Sequence, residues 1–209
     1  MKDTDLLAWI DIETTGLNHF KDELLEVACI ITDQDLNELD RKNWVIKLSE
    51  TMWIGVQDQM PDVVRKMHTE SGLIKASKAS NTPLHHWHDE MNEWLLHILH
   101  ENPTYTKFVM AGSGVARFDY TWFQINFPMI LDHFQYYCFD VGIIRRGLVM
   151  AGAIEHLENK SLVHRAMTDI EDHLEEWKYY ISLIPVQYER AWVPNEWRTA
   201  DDHNDPFGG

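Results

Sequence analysis

Cysteine is almost missing from this chain. Its 209 residues include only Cys29 and Cys138, both in apolar runs and without C-x-x-C spacing. That pattern argues against a disulfide framework or a zinc ribbon and predicts two reduced core thiols. No apolar run reaches the roughly 18 residues of a membrane-spanning helix, and the opening Met1-Lys2-Asp3-Thr4-Asp5 is too acidic for a signal peptide. The expectation is a cytoplasmic protein with no membrane partner. Positive charge is also scarce, with 18 Lys and Arg against 34 Asp and Glu, a formal net charge of −16. Binding along a long nucleic acid scales with the cationic groups that displace counterions, so only a short or locally gripped strand fits. No G-x-x-x-x-G-K segment occurs, which argues against use of nucleoside triphosphates. Hydrophobic residues, at 44%, are sufficient for one full core.

The most informative stretch is Trp9-Ile10-Asp11-Ile12-Glu13-Thr14-Thr15-Gly16-Leu17, at the end of an apolar run. Residues two apart on a strand share a face, so Asp11 and Glu13 would project together from the rim of a buried sheet. Two carboxylates held that close need a cation or take up a proton. Asp, Thr and Gly are also ordinary turn residues, and on this segment alone the metal site and the turn both stand.

Residues 24–32 and 44–48 are strand-like runs joined by the polar turn Asp33-Gln34-Asp35, and with the first strand they predict an antiparallel meander. Helical spacing follows over 61–66, 71–77 and 83–100, the last with Trp87, Met91, Trp94, Leu95 and Ile98 on one stripe. A short strand at 105–111, the loop Gly112-Ser113-Gly114, a helix at 118–126, a strand at 134–141 and a long helix at 165–184 complete an α/β pattern with a mixed five-stranded sheet flanked by helices. The many Trp at helical spacing read as core. His85-His86-Trp87-His88 and the His97/His100 pair complete no tetrahedral zinc set and read as a polar helix face.

Two further acids sit where the topology could bring them to the first pair. Asp119 begins a helix just after the glycine loop. Asp169 flanks the stripe Ala166, Ile170, Leu174, Trp177, Ile181 and Ile184 on the last helix. His164 precedes Asp169 by five residues, about 140° around a helix, and so belongs on the lead-in loop. Taken singly, each acid also suits a helix first turn, and the histidine a loop.

In their order these residues resemble the DEDDh group of 3′ to 5′ exonucleases of the ribonuclease H-like superfamily, within it most nearly oligoribonuclease. The likeness rests on the stretch around Asp11 and Glu13, on His68-Thr69-Glu70-Ser71-Gly72-Leu73, on Phe139-Asp140-Val141 and on His164-Arg165-Ala166-Met167-Thr168-Asp169-Ile170. It implies a ribonuclease H-like exonuclease fold over residues 1–185 and leaves 186–209 as a tail of no assigned role. It implies that Asp11, Glu13, Asp119 and Asp169 hold two Mg²⁺ or Mn²⁺ ions, with His164 as general base. Leu17 would pack on the terminal base, His68 would meet a phosphate, and Tyr136 would cross from one subunit of a homodimer to the other. The implied substrate is short single-stranded RNA, or DNA, hydrolysed to nucleoside 5′-monophosphates.

The chain departs from that pattern at three positions. Val63 stands where the family has an aromatic wedge, and Tyr137 and Gly142 stand where it has a phosphate-capping Arg and Ser. Loss of the cap opens the site to strands longer than dinucleotides. The rival readings are an idle nucleic-acid-binding or scaffold protein and a phosphodiesterase restricted to linear dinucleotides.

Overall fold

The computed structural model describes residue 2, residues 4–155 and residues 164–183. They fall into a main unit, Met1–Trp177, and a second, Lys178–Gly209, of which only the end of the last helix is described. In chain order the elements are β1 (Asp5–Thr14), β2 (Leu24–Thr32), β3 (Glu38–Lys47), α1 (Glu50–Gln59), α2 (Asp62–Glu70), α3 (Leu73–Ala79), β4 (Thr82–Pro83), α4 (Leu84–Glu101), β5 (Lys107–Gly112), α5 (Asp119–Asn126), a 3₁₀ turn, β6 (Phe134–Asp140), α6 (Val141–Met150) and α7 (Ala166–Leu183).

The strands form one mixed sheet in the order β4-β3-β2-β1-β5-β6. β1, β2 and β3 are the antiparallel meander, while β5 runs parallel to β1 and β6 parallel to β5. The sheet has six strands rather than the expected five, the extra one being the two-residue β4 beside the end of β3. Two helices, α1 and α6, have no counterpart in the sequence pattern. Both carry glycine, at Gly55 and at Gly142 and Gly147, which weakens a helical reading.

β1 is central and buried almost throughout, and all nine residues of β2 are buried. Side-chain alternation along β1 divides the two layers. Leu6, Ala8, Ile10 and Ile12 pack with Val27, Cys29 and Ile31 of β2 against Trp87, Met91, Trp94, Leu95 and Ile98 of α4. Asp5, Leu7, Trp9, Asp11 and Glu13 face the other way. There Trp9 meets Phe139 edge-on at 6.0 Å, and Phe139 in turn meets Trp177 of α7 at 4.8 Å. Ala166, Ile170 and Leu174 of α7 are buried as the stripe predicts. Ile181, expected on it, is 41% exposed, and Ile184 lies outside the described residues. Cys29 and Cys138 are free thiols. Among the described residues no helix is long and apolar enough to cross a membrane.

Trp87 is wholly buried, with Phe127 edge-on at 4.9 Å and Phe123 at 6.1 Å, and its indole nitrogen has no hydrogen-bond partner. Trp87→Ala should therefore lower the unfolding free energy by about 3–5 kcal/mol, while Trp87→Phe, which removes the unpaired donor and keeps an aromatic ring, should cost markedly less. Urea denaturation midpoints of the two variants check the difference.

Candidate active site

The site forms where β1 outruns its parallel neighbour. Pairing with β5 ends at Trp9, whereas pairing with β2 continues to Thr14. The backbone past Trp9 therefore lacks a strand partner on the β5 side. Asp119, at the start of α5 and almost fully buried, fills that role, its Oδ1 accepting from the Ile12 N–H at 3.1 Å. The glycine loop that carries the chain to Asp119 is pinned by Asp140, whose Oδ1 accepts from the N–H groups of Gly114 and Ile143, each at 3.1 Å. Gly114 sits at φ 78°, in the left-handed region where glycine is favoured.

Asp169 arrives from the first turn of α7. One carboxylate oxygen each from Asp11, Glu13 and Asp169 lie within 4.8 Å of one another. His164 stands just ahead of that helix on its lead-in, as its spacing requires, and its charge acts on Asp169. Its φ of 45° is costly for a non-glycine residue, about 1–2 kcal/mol, so the surroundings must hold it there.

Burial dominates the electrostatics, and crowding of like charge adds to it. Burial first, and then the charges of Asp119, Glu13, Asp169 and Glu26, push the Asp11 carboxyl well above the usual range. Burial, with Asp169, Glu26 and Asp119, raises Glu13 to about 8, although Arg165 opposes the shift. Burial raises Asp119 to about 7 in spite of the backbone donors it accepts from, and raises Asp169 to about 6 against the pull of His164. Such an all-oxygen set suits a hard divalent cation, which removes the repulsion and favours ionised ligands.

The remaining expected residues are distributed as follows. Leu17 is 79% exposed on a loop that is closely tied down. Asp22 accepts from Thr15 Oγ1 at 3.0 Å and from the Asn18 N–H at 2.7 Å, and a Cβ on Gly16 would meet the same carboxylate at 2.5 Å. The loop presents a second exposed apolar side chain, Phe20, that the motif reading missed. Val63 is exposed on α2.

His68, expected at a phosphate, is completely buried. Its Nε2 donates to the Thr14 carbonyl at 2.8 Å and lies 3.9 Å from Glu13 Oε2. Burial holds its pKa below the ordinary value, so a neutral imidazole braces the end of β1, and in this arrangement it offers no surface to a substrate. Tyr136 is 86% exposed on edge strand β6. The Tyr137 hydroxyl donates to Asp5 Oδ2 at 3.0 Å, at the opposite end of β1 from the acids. Gly142 lies against Ser113, where a Cβ would come within 2.7 Å of the hydroxyl oxygen.

Sequence reasoning overlooked Glu26. It faces Glu13 directly across the β1–β2 ladder and accepts from both Arg165 and the Ala166 N–H. Its signal is a lone acid inside the nine buried residues of β2, since an acid there needs a partner.

A family model described as "Exonuclease" (RNase T) matches residues 8–176. Mitochondrial oligoribonucleases of Mus musculus and Homo sapiens are each 32% identical over 182 residues, covering 85% of this chain and 73% of theirs. The oligoribonuclease of Rhodococcus jostii is 31% identical over 183 residues, covering 84% of this chain and 86% of its own. Among solved structures, E. coli exonuclease I in complex with a dT13 oligonucleotide has a similar fold, with a TM-score of 0.55 at 17% identity. The match covers 84% of this chain and 40% of that one.

The raised carboxyl pKa values fix the sign of a pH effect. A carboxyl that titrates higher in the folded than in the unfolded chain binds the extra proton when folded, so its contribution to stability falls as pH rises between the two values. For Glu13 the window runs from 4.5 to about 8. The cation-free protein should therefore melt at a lower temperature at pH 8 than at pH 5.5. Saturating Mg²⁺ or Mn²⁺ should raise the melting temperature more at pH 8, with proton release on binding near pH 7. Thermal melts with and without chelator, and titration in weak buffer, read both effects.

Proposed function

The chain belongs to the exonuclease family, and on that premise we propose that it is a 3′ to 5′ exoribonuclease that shortens single-stranded RNA and releases nucleoside 5′-monophosphates. The observation that carries this reading is the convergence of Asp11, Glu13 and Asp169 within 4.8 Å, with Asp119 bonded to the backbone between the first two. Residues 1–185 are assigned to the exonuclease domain, and 186–209 lie outside the described residues.

Asp11, Glu13, Asp119 and Asp169 are the residues that would hold two divalent cations, Mg²⁺ or Mn²⁺, whose Lewis acidity stabilises the charge that develops on both oxygens of a phosphoryl displacement. His164 accepts the proton of the water that attacks the terminal phosphorus. The 3′ oxygen of the penultimate nucleotide leaves and takes up a proton from solvent. Leu17, held by its latched loop, contacts the terminal base without reading its sequence. Asp169, facing His164, stabilises the imidazolium once the proton has moved.

Tyr137, its hydroxyl bound to Asp5, brings no cation to the far end of the substrate, and Gly142, crowded by Ser113, brings no hydroxyl. Strands longer than dinucleotides are therefore accepted, with single-stranded DNA as the alternative to RNA. The net charge of −16 keeps the grip local. A second copy of the chain fits the edge of the sheet, because β6 is an edge strand and presents Tyr136, with Ile143 and Met150 of α6 exposed beside it in sequence.

A ladder assay tests the reading with 3′-intact RNA and DNA oligomers of graded length, in Mn²⁺ or chelator. Stepwise shortening from the 3′ end is expected only with the cation. Cleavage of two-mers alone would favour a dinucleotide phosphodiesterase, and binding without products a scaffold. Asp11→Asn should reduce cleavage about 100-fold or more. By relieving the repulsion around a buried acid, the same change should also raise the melting temperature of the cation-free protein.

A further inference from the structure

Glu26 takes no part in the cation set, yet its surroundings are the most thoroughly bonded of any acid near the site. It is fully buried on β2, and its carboxylate accepts four hydrogen bonds: Asn43 Nδ2 at 3.0 Å, Arg165 Nε at 2.8 Å, Arg165 Nη2 at 2.5 Å and the Ala166 N–H at 3.2 Å. Three of the four come from the residues that begin α7. The first N–H groups of a helix have no partner within it, and here a side chain from a strand 140 residues earlier supplies one.

What this joint holds is the half of the site that α7 contributes. Asp11 and Glu13 are fixed by the central strand, and Asp119 by its bond to that strand. Asp169 and His164 reach the cluster only through the start of α7. The Asp169 N–H bonds to the Arg165 carbonyl at 3.0 Å, and His164, the residue before Arg165, sits at φ 45°. An error of an ångström in the helix start would carry both functional groups away from the cluster.

We propose that the Glu26–Arg165 clasp is the positioning element of the site, fixing the N-terminus of α7 so that Asp169 joins Asp11 and Glu13 and His164 keeps its left-handed backbone conformation beside them. Glu26 lies outside the Asp11, Glu13 and Asp169 set, and in this arrangement it and Arg165 act through their neighbours. Geometry accounts for an ion pair here better than bulk stability does, because replacing a buried ion pair with apolar residues of similar volume is often neutral or stabilising. The planar fork of Arg165 meets both oxygens of Glu26, and an ammonium at the same place would meet one. Arg165 also opposes the repulsion on Glu13, so one guanidinium both docks the helix and moderates the charge of the cluster.

The kinetic part of this inference rests on the exonuclease reading, so the test has arms that do not. Full-length Arg165→Lys and Glu26→Gln are compared with the wild type in cleavage of a labelled RNA oligomer with Mn²⁺. Mn²⁺ affinity is followed through the resonance signal of the free ion, and the His164 ring resonances and thermal melts are recorded without cation. Arg165→Lys, which keeps the charge, carries the test if the buried Glu26→Gln change does not fold. The expected result is a fall in kcat of about 10- to 100-fold with KM within about twofold, Mn²⁺ affinity weakened by a similar factor, displaced His164 resonances and a melting temperature within a few degrees of wild type. Wild-type kcat and Mn²⁺ affinity in Arg165→Lys overturn the proposal. So does a loss of activity that follows a lowered melting temperature with Mn²⁺ affinity intact, since that marks a merely structural pair. If the wild type binds Mn²⁺ but cleaves no RNA, the exonuclease reading fails, and the Mn²⁺ and His164 arms still decide on the clasp.

Discussion

Burial of carboxylates side by side, with loss of water first and mutual repulsion second, is the constraint around which this molecule is arranged. Holding Glu13 in its native place moves its carboxyl from 4.5 to about 8, a cost on the order of 5 kcal/mol when it is ionised. That is comparable to the whole net stability of an ordinary domain. The fold can impose it because Asp11 and Glu13 stand on its most deeply buried part. β1 is the centre of the sheet, β2 beside it is buried along its entire length, and the apolar side chains of β1 lock into α4 on one face while Trp9, Phe139 and Trp177 interleave on the other. A cation bound by the acids returns the cost as binding free energy, so affinity for the ion and weakness of the ion-free fold are two expressions of one strain.

The four acids reach the rim by different means, and that difference determines how each behaves. Asp11 and Glu13 have no freedom beyond their rotamers. Asp119 is fixed because it does a structural task, satisfying a backbone N–H that β5 leaves behind. Asp169 belongs to a helix that must be docked, and the docking uses an acid, Glu26, which worsens the repulsion on Asp11, Glu13 and Asp169 alike. A neutral acceptor at position 26 would spare the cluster one charge. It would also give up the ionic, two-point grip on Arg165.

How much of this could be read in the sequence follows from the range of the interactions involved. Alternation and apolar runs are local, so β2 is legible at Leu24–Thr32, and the shared face of Asp11 and Glu13 follows from a period of two. The angle between His164 and Asp169 is equally local, and it puts the histidine ahead of the helix, where it stands. α1 and α6 were illegible because their glycines lower helix propensity. Glu26 was illegible in role because its partner lies 139 residues away. His68 shows the reverse case. A motif position marks a histidine as important, but only burial reveals that its ring faces inward to the end of β1.

Gly142 and Tyr137, the two departures from the family pattern that the resemblance implies, are each held by neighbours of their own. A side chain at 142 has no room while Ser113 occupies the space, with the Arg145 guanidinium bonded to that serine at 3.2 Å. Introducing serine at 142 alone would therefore displace its neighbours rather than add a ligand. Tyr137 is likewise committed, its hydroxyl sharing the buried Asp5 with Gln135 and with the Lys2 N–H. An arginine at 137 would be drawn to the same carboxylate as an ion pair, and its charge would be neutralised before any phosphate arrived. On the proposed reading, the far end of the substrate site would be set by these neighbours, Ser113 and Asp5, as much as by the two positions themselves, and a change of length preference would require altering each position together with the residue that holds it.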